Sequence, residues 1–199
     1  MKLSTRILAR TAVVALVAVS AAFFAGCKDK EAVKKEEAAK ELQAAKDAIK
    51  EKKFDDAAKN LQSASDKDDS EATLMLAFLY GAGKGVEKDE DKATALLKKA
   101  ADAGNVKAKF LSVMKEIDDS GKDPDEEAKK QLSDLNAELK KLAEAGDADG
   151  MALYALSLVT TLGPSSTPEE IGKTLEEVKT WSDKAQESGS FFANLKEED

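Results

Sequence analysis

A helix-ending signal recurs along this chain about every forty residues. Gly104, Gly146 and Gly189 each follow an amphipathic segment directly, and Asp68 closes a similar segment one period earlier. The spacings between them are 36, 42 and 43 residues. Glycine adopts the left-handed conformation that ends helices more readily than any other residue. A chain that ends a helix at this interval is expected to form a helical repeat array, with two helices in each period.

A small residue follows each of these four ends at a distance of four positions. These residues are Ala72, Ala108, Gly150 and Ala193. Because the distance between two packed helices depends on the side chains at their contact, a small residue at a fixed place in every unit favours close approach.

Apolar residues between the ends follow the helical period. One face steps by four and three residues, and a second does the same later in the chain. The first contains Ala128, Leu132, Leu135, Leu139 and Leu142, and the second contains Ile171, Leu175, Val178 and Ala185. No segment shows a strand pattern, so we expect an all-α fold.

Two helix starts carry a capping signal. Asp123 and Thr167 are each followed by a proline, Pro124 or Pro168, and by a glutamate three residues on. A capping side chain, a first-turn proline and an acid at the third position are typical of a helix N-terminus. We therefore expect helices to begin next to Asp123 and Thr167.

One unit, residues 72–104, resembles the Sel-one-like repeat, a relative of the tetratricopeptide repeat. The matching residues are Ala72, Leu76, Ala77, Tyr80, Gly83, Gly85, Val86, Asp89, Lys92, Ala93, Leu96, Leu97, Lys99, Ala100, Ala101 and Gly104. Ala77 stands where the family commonly has glycine. The resemblance implies a short right-handed α-solenoid of antiparallel helix pairs. It also implies that the repeats present an extended groove to another protein or a peptide.

The physical logic of this unit is that small residues allow helices to meet while larger ones fill the spaces between them. Ala93 and Ala100 belong to the small set, and Tyr80 to the large set. Gly83 and Gly85 permit the tight turn between the two helices. We expect the aromatic residues to be core fillers rather than a ligand site. These are Trp181, Tyr80, Tyr154, Phe110 and Phe191.

The other units are more degenerate, and the resemblance extends over roughly 42–195. We expect a repeat domain over 41–199, with a final capping helix that covers the exposed apolar face of the last pair. The expected units are 41–68, 69–104, 105–146 and 147–189, followed by the capping helix at 190–196.

The first 26 residues are typical of a secretory signal. Lys2, Arg6 and Arg10 precede 14 uncharged residues, 11–24, a stretch too short to span a bilayer. The sequence Phe24-Ala25-Gly26-Cys27 then resembles the lipobox of bacterial lipoproteins. The alternatives are a plain cleaved signal or a single membrane anchor.

The lipobox resemblance implies a diacylglyceryl group on the Cys27 thiol and cleavage between Gly26 and Cys27. Residues 27–40 would then be a lipidated N-terminus and charged tether, either a helical arm or a loose spacer. Lys28 stands where an aspartate would retain a lipoprotein in the inner membrane of enteric bacteria. The resemblance therefore implies an outer-membrane lipoprotein that faces the periplasm.

The charge of the predicted mature chain excludes several partners. Removing 1–26 leaves 28 basic and 39 acidic residues, a net charge of −11. Such a surface repels nucleic-acid phosphates and anionic lipid headgroups. We expect no nucleic-acid partner, and contact with the membrane only through the lipid.

The residue inventory argues against catalysis. The predicted mature chain has no His, no Arg and no free Cys, which excludes a Ser-His-Asp triad and imidazole-bound metals. A carboxylate pair or a Lys–Ser arrangement could still be built. However, 39 acidic residues make such pairs common by chance. We expect a non-enzymatic protein with no cofactor and no metal.

Two local patterns could indicate a ligand site or could simply be loops of the fold. Residues Glu116, Asp118, Ser120, Gly121 and Glu127 partly follow a calcium-loop spacing, but a solvated loop between helices is favoured. The glycines of 81–85 suggest a phosphate-binding loop, but the turn of the repeat explains them better.

The sequence thus predicts a monomeric, lipid-anchored scaffold that binds a protein or peptide. A structural lipoprotein that binds cell-wall glycan or lipid is the main alternative, and a carboxylate-dependent hydrolase is the third.

Overall fold

A computed structural model describes residues 30–163 and 166–194, and these residues form nine α-helices. The first helix, α1, spans 30–50. The others are α2 (Phe54–Asp66), α3 (Ser70–Ala82), α4 (Glu90–Asp102), α5 (Val106–Ser120), α6 (Glu126–Glu144), α7 (Ala148–Val159), α8 (Pro168–Glu187) and α9 (Phe191–Asn194). The predicted signal peptide, its cleavage site after Gly26 and the predicted lipid site Cys27 lie outside the described residues.

The helices pack in pairs of chain neighbours, and the second pair shows the arrangement most clearly. At one end of α3, Tyr80 accepts a 2.6 Å hydrogen bond on its hydroxyl from Nζ of Lys92, near the start of α4. At the other end, Leu74 packs in one apolar cluster with Ala100. The two helices therefore run antiparallel, and the prediction of an all-α fold of helix pairs is confirmed.

The predicted helix ends take left-handed conformations. The φ angles are +67° at Asp68, +91° at Gly104 and Gly146, and +74° at Gly189. The residue after each of the first three ends caps the next helix. Oδ1 of Asp69, Asn105 and Asp147 accepts from the backbone N–H of Ala72, Ala108 and Gly150. Each small residue thus lies in the first turn of the next helix.

Close packing explains why these positions are small. Ala72 and Ala108 have no exposed surface. A Cβ on Gly150 would lie 2.8 Å from the Cβ of Leu142, closer than two such atoms can approach. The Gly150 position therefore requires glycine for space, since the backbone there is helical.

One of the two predicted capping residues is two positions too early in the chain. The α8 helix begins as predicted, with a capping box between Thr167 and Glu170 and Pro168 in the first turn. The α6 helix begins at Glu126, and Asp125, not Asp123, accepts the capping bond from the N–H of Ala128. Asp123 and Asp125 both offer a side chain that can accept the capping bond. The connection that starts at Gly121, where α5 ends, extends to residue 125, so the later aspartate becomes the cap.

The α1 helix runs without a break through the predicted boundary between tether and domain at 40/41. Ala38 is buried, and Nζ of Lys34 lies 2.5 Å from Oδ2 of Asp68 at the end of α2. From residue 30 onward the predicted tether therefore has the form of a helical arm, which is the first part of α1 and contacts the end of α2.

The two predicted apolar faces pack to different extents. Leu132, Leu135 and Leu139 of α6 are buried. On α8 the later part of the face packs into the core, but Ile171 and Leu175 are 37% and 53% exposed. The 20-residue α8 is longer than the 12-residue α7 that it packs against, so its first turns extend past the end of α7.

Candidate functional site

Helices α1 to α8 form four successive pairs, α1–α2, α3–α4, α5–α6 and α7–α8. The first helix of each pair contributes to one surface, and α9 lies on it. We call this surface the inner face and define it by Ile49 of α1, Met75 and Phe78 of α3, Leu111 of α5 and Asp149 of α7. Phe191 is buried in the apolar cluster that joins α1, α2 and α3. Phe192 packs against all three apolar clusters of the described residues.

A buried lysine joins three of these helices beside the inner face. Nζ of Lys107, on α5, lies 2.6 Å from Oε1 of Glu71 on α3 and 3.2 Å from Oδ2 of Asp147 at the start of α7. Nδ2 of Asn105 donates a 3.0 Å hydrogen bond to the other Glu71 oxygen. Removing one partner of such a buried network is costly, because it leaves an uncompensated buried charge.

The carboxylates of this network offset the effect of burial on the pKa of Lys107. Burial alone would lower the pKa of Lys107, but the carboxylates of Glu71, Asp147 and Asp149 raise it above its usual value. The lysine therefore stays charged and continues to hold both carboxylates.

Asp149 is the polar centre of the inner face. Its Oδ1 accepts a 2.7 Å hydrogen bond from the hydroxyl of Ser190 and a 3.3 Å bond from the backbone N–H of Phe192. Burial raises the pKa of this carboxyl, while the bond from Ser190 and the charge of Lys107 act in the opposite direction. A 7% exposed carboxylate thus receives two donors from the C-terminal segment.

Three phenylalanine rings form the apolar part of the site. The ring of Phe78 lies 6.0 Å from that of Phe191 and 4.7 Å from that of Phe192, measured between centroids, and both contacts are edge-on. The rings of Phe191 and Phe192 are 5.5 Å apart. Edge-on pairs at these distances are favourable beyond the area that they bury.

The free energy that holds the segment 190–194 in place is small. Burying one phenylalanine side chain contributes about 1.5–3 kcal/mol, and the segment has two. Fixing the backbone of one residue costs about 1–2 kcal/mol, and the segment has five. Because the ordering cost is the larger of the two contributions, docking also depends on the two hydrogen bonds to Asp149.

The predicted capping helix at 190–196 corresponds to α9, which spans Phe191–Asn194 and has contacts that extend further than the last pair. Ser190 follows Gly189 as each N-cap residue follows the earlier helix ends. The α9 helix packs on α7 and α8, and its two phenylalanines also reach α3. The part of the predicted cap beyond Asn194 lies outside the described residues.

The residues of the predicted repeat signature build the helix pair. Ala72, Leu76, Ala77 and Ala100 are buried, and the hydroxyl of Tyr80 bonds to Lys92. Three further positions shape helix ends: Gly83 ends α3, Asp89 caps α4 and Gly104 follows α4.

The two remaining signature residues, Ala93 and Gly85, lie at contacts between elements. A Cβ on Gly81 would lie 3.7 Å from the Cβ of Ala93, an ordinary van der Waals distance, so α3 and α4 pack together there. Gly85 has φ +68°, and a Cβ at this position would lie 2.2 Å from the carbonyl carbon and oxygen of Phe54. The turn of the repeat thus rests directly on the start of α2.

The functional alternatives for two loops are not supported by the geometry. Glu116, Asp118 and Ser120 belong to α5 and have helical backbone, so they do not form a calcium loop. Within 30–163 and 166–194 no group of three or more acidic or thiol side chains could hold a metal ion. The glycines of 81–85 end α3 and form the turn to α4.

A cleft with a volume of about 550 Å³ lies between α4, α5 and α6, away from the inner face. Leu97, Val113 and Leu135 contribute to its apolar walls, and its lining also includes both lysines and acidic residues. The inner face differs because it combines an aromatic slot with a buried carboxylate that already receives a peptide segment. We therefore take the inner face as the candidate site.

Sequence analysis missed the polar half of this site, although the repeat register contained a signal for it. Glu71, Lys107 and Asp149 each directly precede the small residue of their unit. This register predicts the contact between Glu71 and Lys107, whereas the second ion pair of Lys107 is with Asp147, two positions before Asp149.

Comparison with known proteins supports the repeat assignment. Residues 70–105 match the sequence profile of the Sel1 repeat, which confirms the resemblance of 72–104. No curated protein sequence matches the chain. A crystal structure of a Sel1 repeat protein from Oxalobacter formigenes is similar at 19% identity with a TM-score of 0.38, over 70% of this chain and 51% of that one. The aligned region is about half the length of that protein.

Proposed function

We propose that this protein is a non-catalytic scaffold that binds a protein or peptide on its inner face. The observation that carries the proposal is the docking of 190–194, because a peptide segment already makes both polar and aromatic contacts there. The Sel1 repeat at 70–105 supports it, since repeats of this kind generally serve as protein-binding scaffolds.

The second part of the proposal is a lipid anchor on Cys27 that holds a monomeric scaffold at the outer membrane, facing the periplasm. The lipobox-like sequence 24–27 and the uncharged stretch before it support this part. Among the described residues no helix has the length and apolar character needed to cross a bilayer. A Cys27→Ser variant tests the anchor: incorporation of labelled palmitate and recovery in the membrane fraction should both be lost. Unchanged palmitate labelling would contradict it.

Photo-crosslinking in living cells tests the binding surface. A photoreactive residue at Lys50, which is exposed beside Phe191 at the edge of the inner face, should give a defined crosslinked product. The matched control is Lys130, an exposed lysine on α6. The same products from both positions, or none from Lys50, would contradict binding at the inner face. Co-sedimentation of the purified protein with isolated cell walls would instead support the glycan-binding alternative.

A further inference from the structure

We infer that segment 190–194 is an internal ligand, and that the external partner is a peptide with the same chemistry. That chemistry is a serine or threonine followed by two aromatic residues. The inference rests on the proposed function and deepens it by naming the class of partner and the group that competes with it.

The polar requirement follows from Asp149. A single carboxylate oxygen accepts both from the hydroxyl of Ser190 and from the backbone N–H two residues later. A carboxylate offers only acceptors, so it selects a donor side chain at this place. An acidic or phosphorylated residue there would meet the like charges of Asp149 and Asp147, which lie beside one another at the start of α7.

The aromatic requirement follows from Phe78. Its ring makes edge-on contacts with the rings of both Phe191 and Phe192. Phe191 is 5% exposed, whereas Phe192 is only partly buried. The first aromatic position therefore needs a ring that fits an enclosed slot, and the second tolerates a larger ring.

The site also has room beside the docked segment. A cavity of about 300 Å³ adjoins Phe191 and is lined by Ile49 and Lys50 of α1, Met75 of α3 and Asp149 of α7. A partner peptide can therefore extend past the docked residues along α1, and gain contacts that the internal segment does not make.

The internal segment is short, so a free peptide of the same length can present all of its docking residues. It has one helix of four residues, joined to α8 through Ser188 and Gly189, and the hydroxyl of Ser190 donates to the carboxylate of Asp149. A free peptide with the same residues must compete with a segment that is permanently present at high effective concentration. Weakening the internal segment should therefore increase the affinity for the free peptide.

The experiment measures fluorescence anisotropy with a labelled peptide of sequence SGSFFANL, which is that of residues 188–195. The purified full chain is compared with its Phe191→Ala/Phe192→Ala variant. We expect at least tenfold tighter binding by the variant, and no binding of a control peptide with both phenylalanines replaced by alanine. Adding Asp149→Asn to the variant should weaken peptide binding at least tenfold.

Phe191 belongs to the core, so its replacement can also destabilise the fold. Phe192→Ala alone therefore serves as a milder second variant, and its affinity for the labelled peptide should be at least threefold higher than that of the wild type. Equal affinity of the wild-type chain and a folded variant would overturn the inference. Crosslinking from Lys50 separates this failure from failure of the proposed function. If the wild-type chain and the variant capture the same partner equally, the proposed binding function holds but the internal segment does not compete with the partner. If neither captures a partner, the proposed binding function itself is wrong.

Discussion

The hydroxyl of Ser190 donates a 2.7 Å hydrogen bond to Oδ1 of Asp149, a residue 41 positions earlier in the chain. This bond seats the residues after α8 on the surface formed by the first helices of the pairs. Asp149 is in turn close enough to Lys107 for the two charges to influence each other's pKa. The contact of the C-terminal segment is therefore coupled to the ion pairs that join α3, α5 and α7.

Asp149 should make the stability of the protein depend on pH. Burial raises the pKa of this carboxyl above its usual value, so the folded state holds the proton more tightly than the unfolded state. Its contribution to stability is present at low pH and is lost as the pH rises through the raised pKa. The free energy of unfolding of the wild type minus that of Asp149→Asn should therefore fall between pH 4 and pH 7, as measured by urea denaturation. A difference that rises over this interval would contradict the assignment, and Asp134→Asn at an exposed site is the control.

Removing Lys107 should be far more costly than removing a surface lysine. The Lys107 side chain is 6% exposed, and its loss leaves Glu71 and Asp147 without their cation. We expect Lys107→Met to lower the free energy of unfolding by about 3–5 kcal/mol. Lys173→Ala, which breaks an exposed pair with Glu169, should cost at most about 0.5 kcal/mol.

A double-mutant cycle checks that this cost comes from the pair. Lys107→Met combined with Glu71→Gln should cost less than the two single changes added together, because the double variant buries no unpaired charge between them. Strict additivity would show that the cost of losing Lys107 does not come from its pair with Glu71.

Two glycines with the same backbone conformation should respond differently to alanine. Gly85 has φ +68° and Gly121 has φ +61°, but only at Gly85 would the added Cβ meet backbone atoms, those of Phe54. We expect Gly121→Ala to cost about 1 kcal/mol from the left-handed backbone alone. Gly85→Ala should cost at least about 2 kcal/mol more, since the turn must move away from α2. Equal costs in urea denaturation would show that the turn does not rest on α2.

The local features of the fold could be predicted from the sequence because their causes lie within a few residues. The left-handed ends at Gly104 and Gly146 and the capping box at Thr167 depend only on neighbouring groups. The start of α6 was misplaced because Asp123 and Asp125 offer equivalent caps, and a local pattern does not decide between them.

The site was predicted less well because its contacts join distant parts of the chain. The bonds from Lys107 to Glu71 and Asp147 span 36 and 40 residues. The docking of Phe191 against Phe78 depends on how four successive pairs are stacked. Phe191 was predicted as an aromatic core filler, but its residue type contains no information on which helix it meets.

The central claim is that the C-terminal segment lies on the inner face, and ring-to-ring nuclear Overhauser effects test it most directly. The rings of Phe78 and Phe192 have centroids 4.7 Å apart, so their protons should give a cross-peak. The rings of Tyr154 and Trp181, 5.6 Å apart within the α7–α8 pair, provide the internal reference. The account predicts both cross-peaks, with the Phe78–Phe192 peak lost in Phe192→Ala. A clear Tyr154–Trp181 peak without any Phe78–Phe192 peak would contradict it.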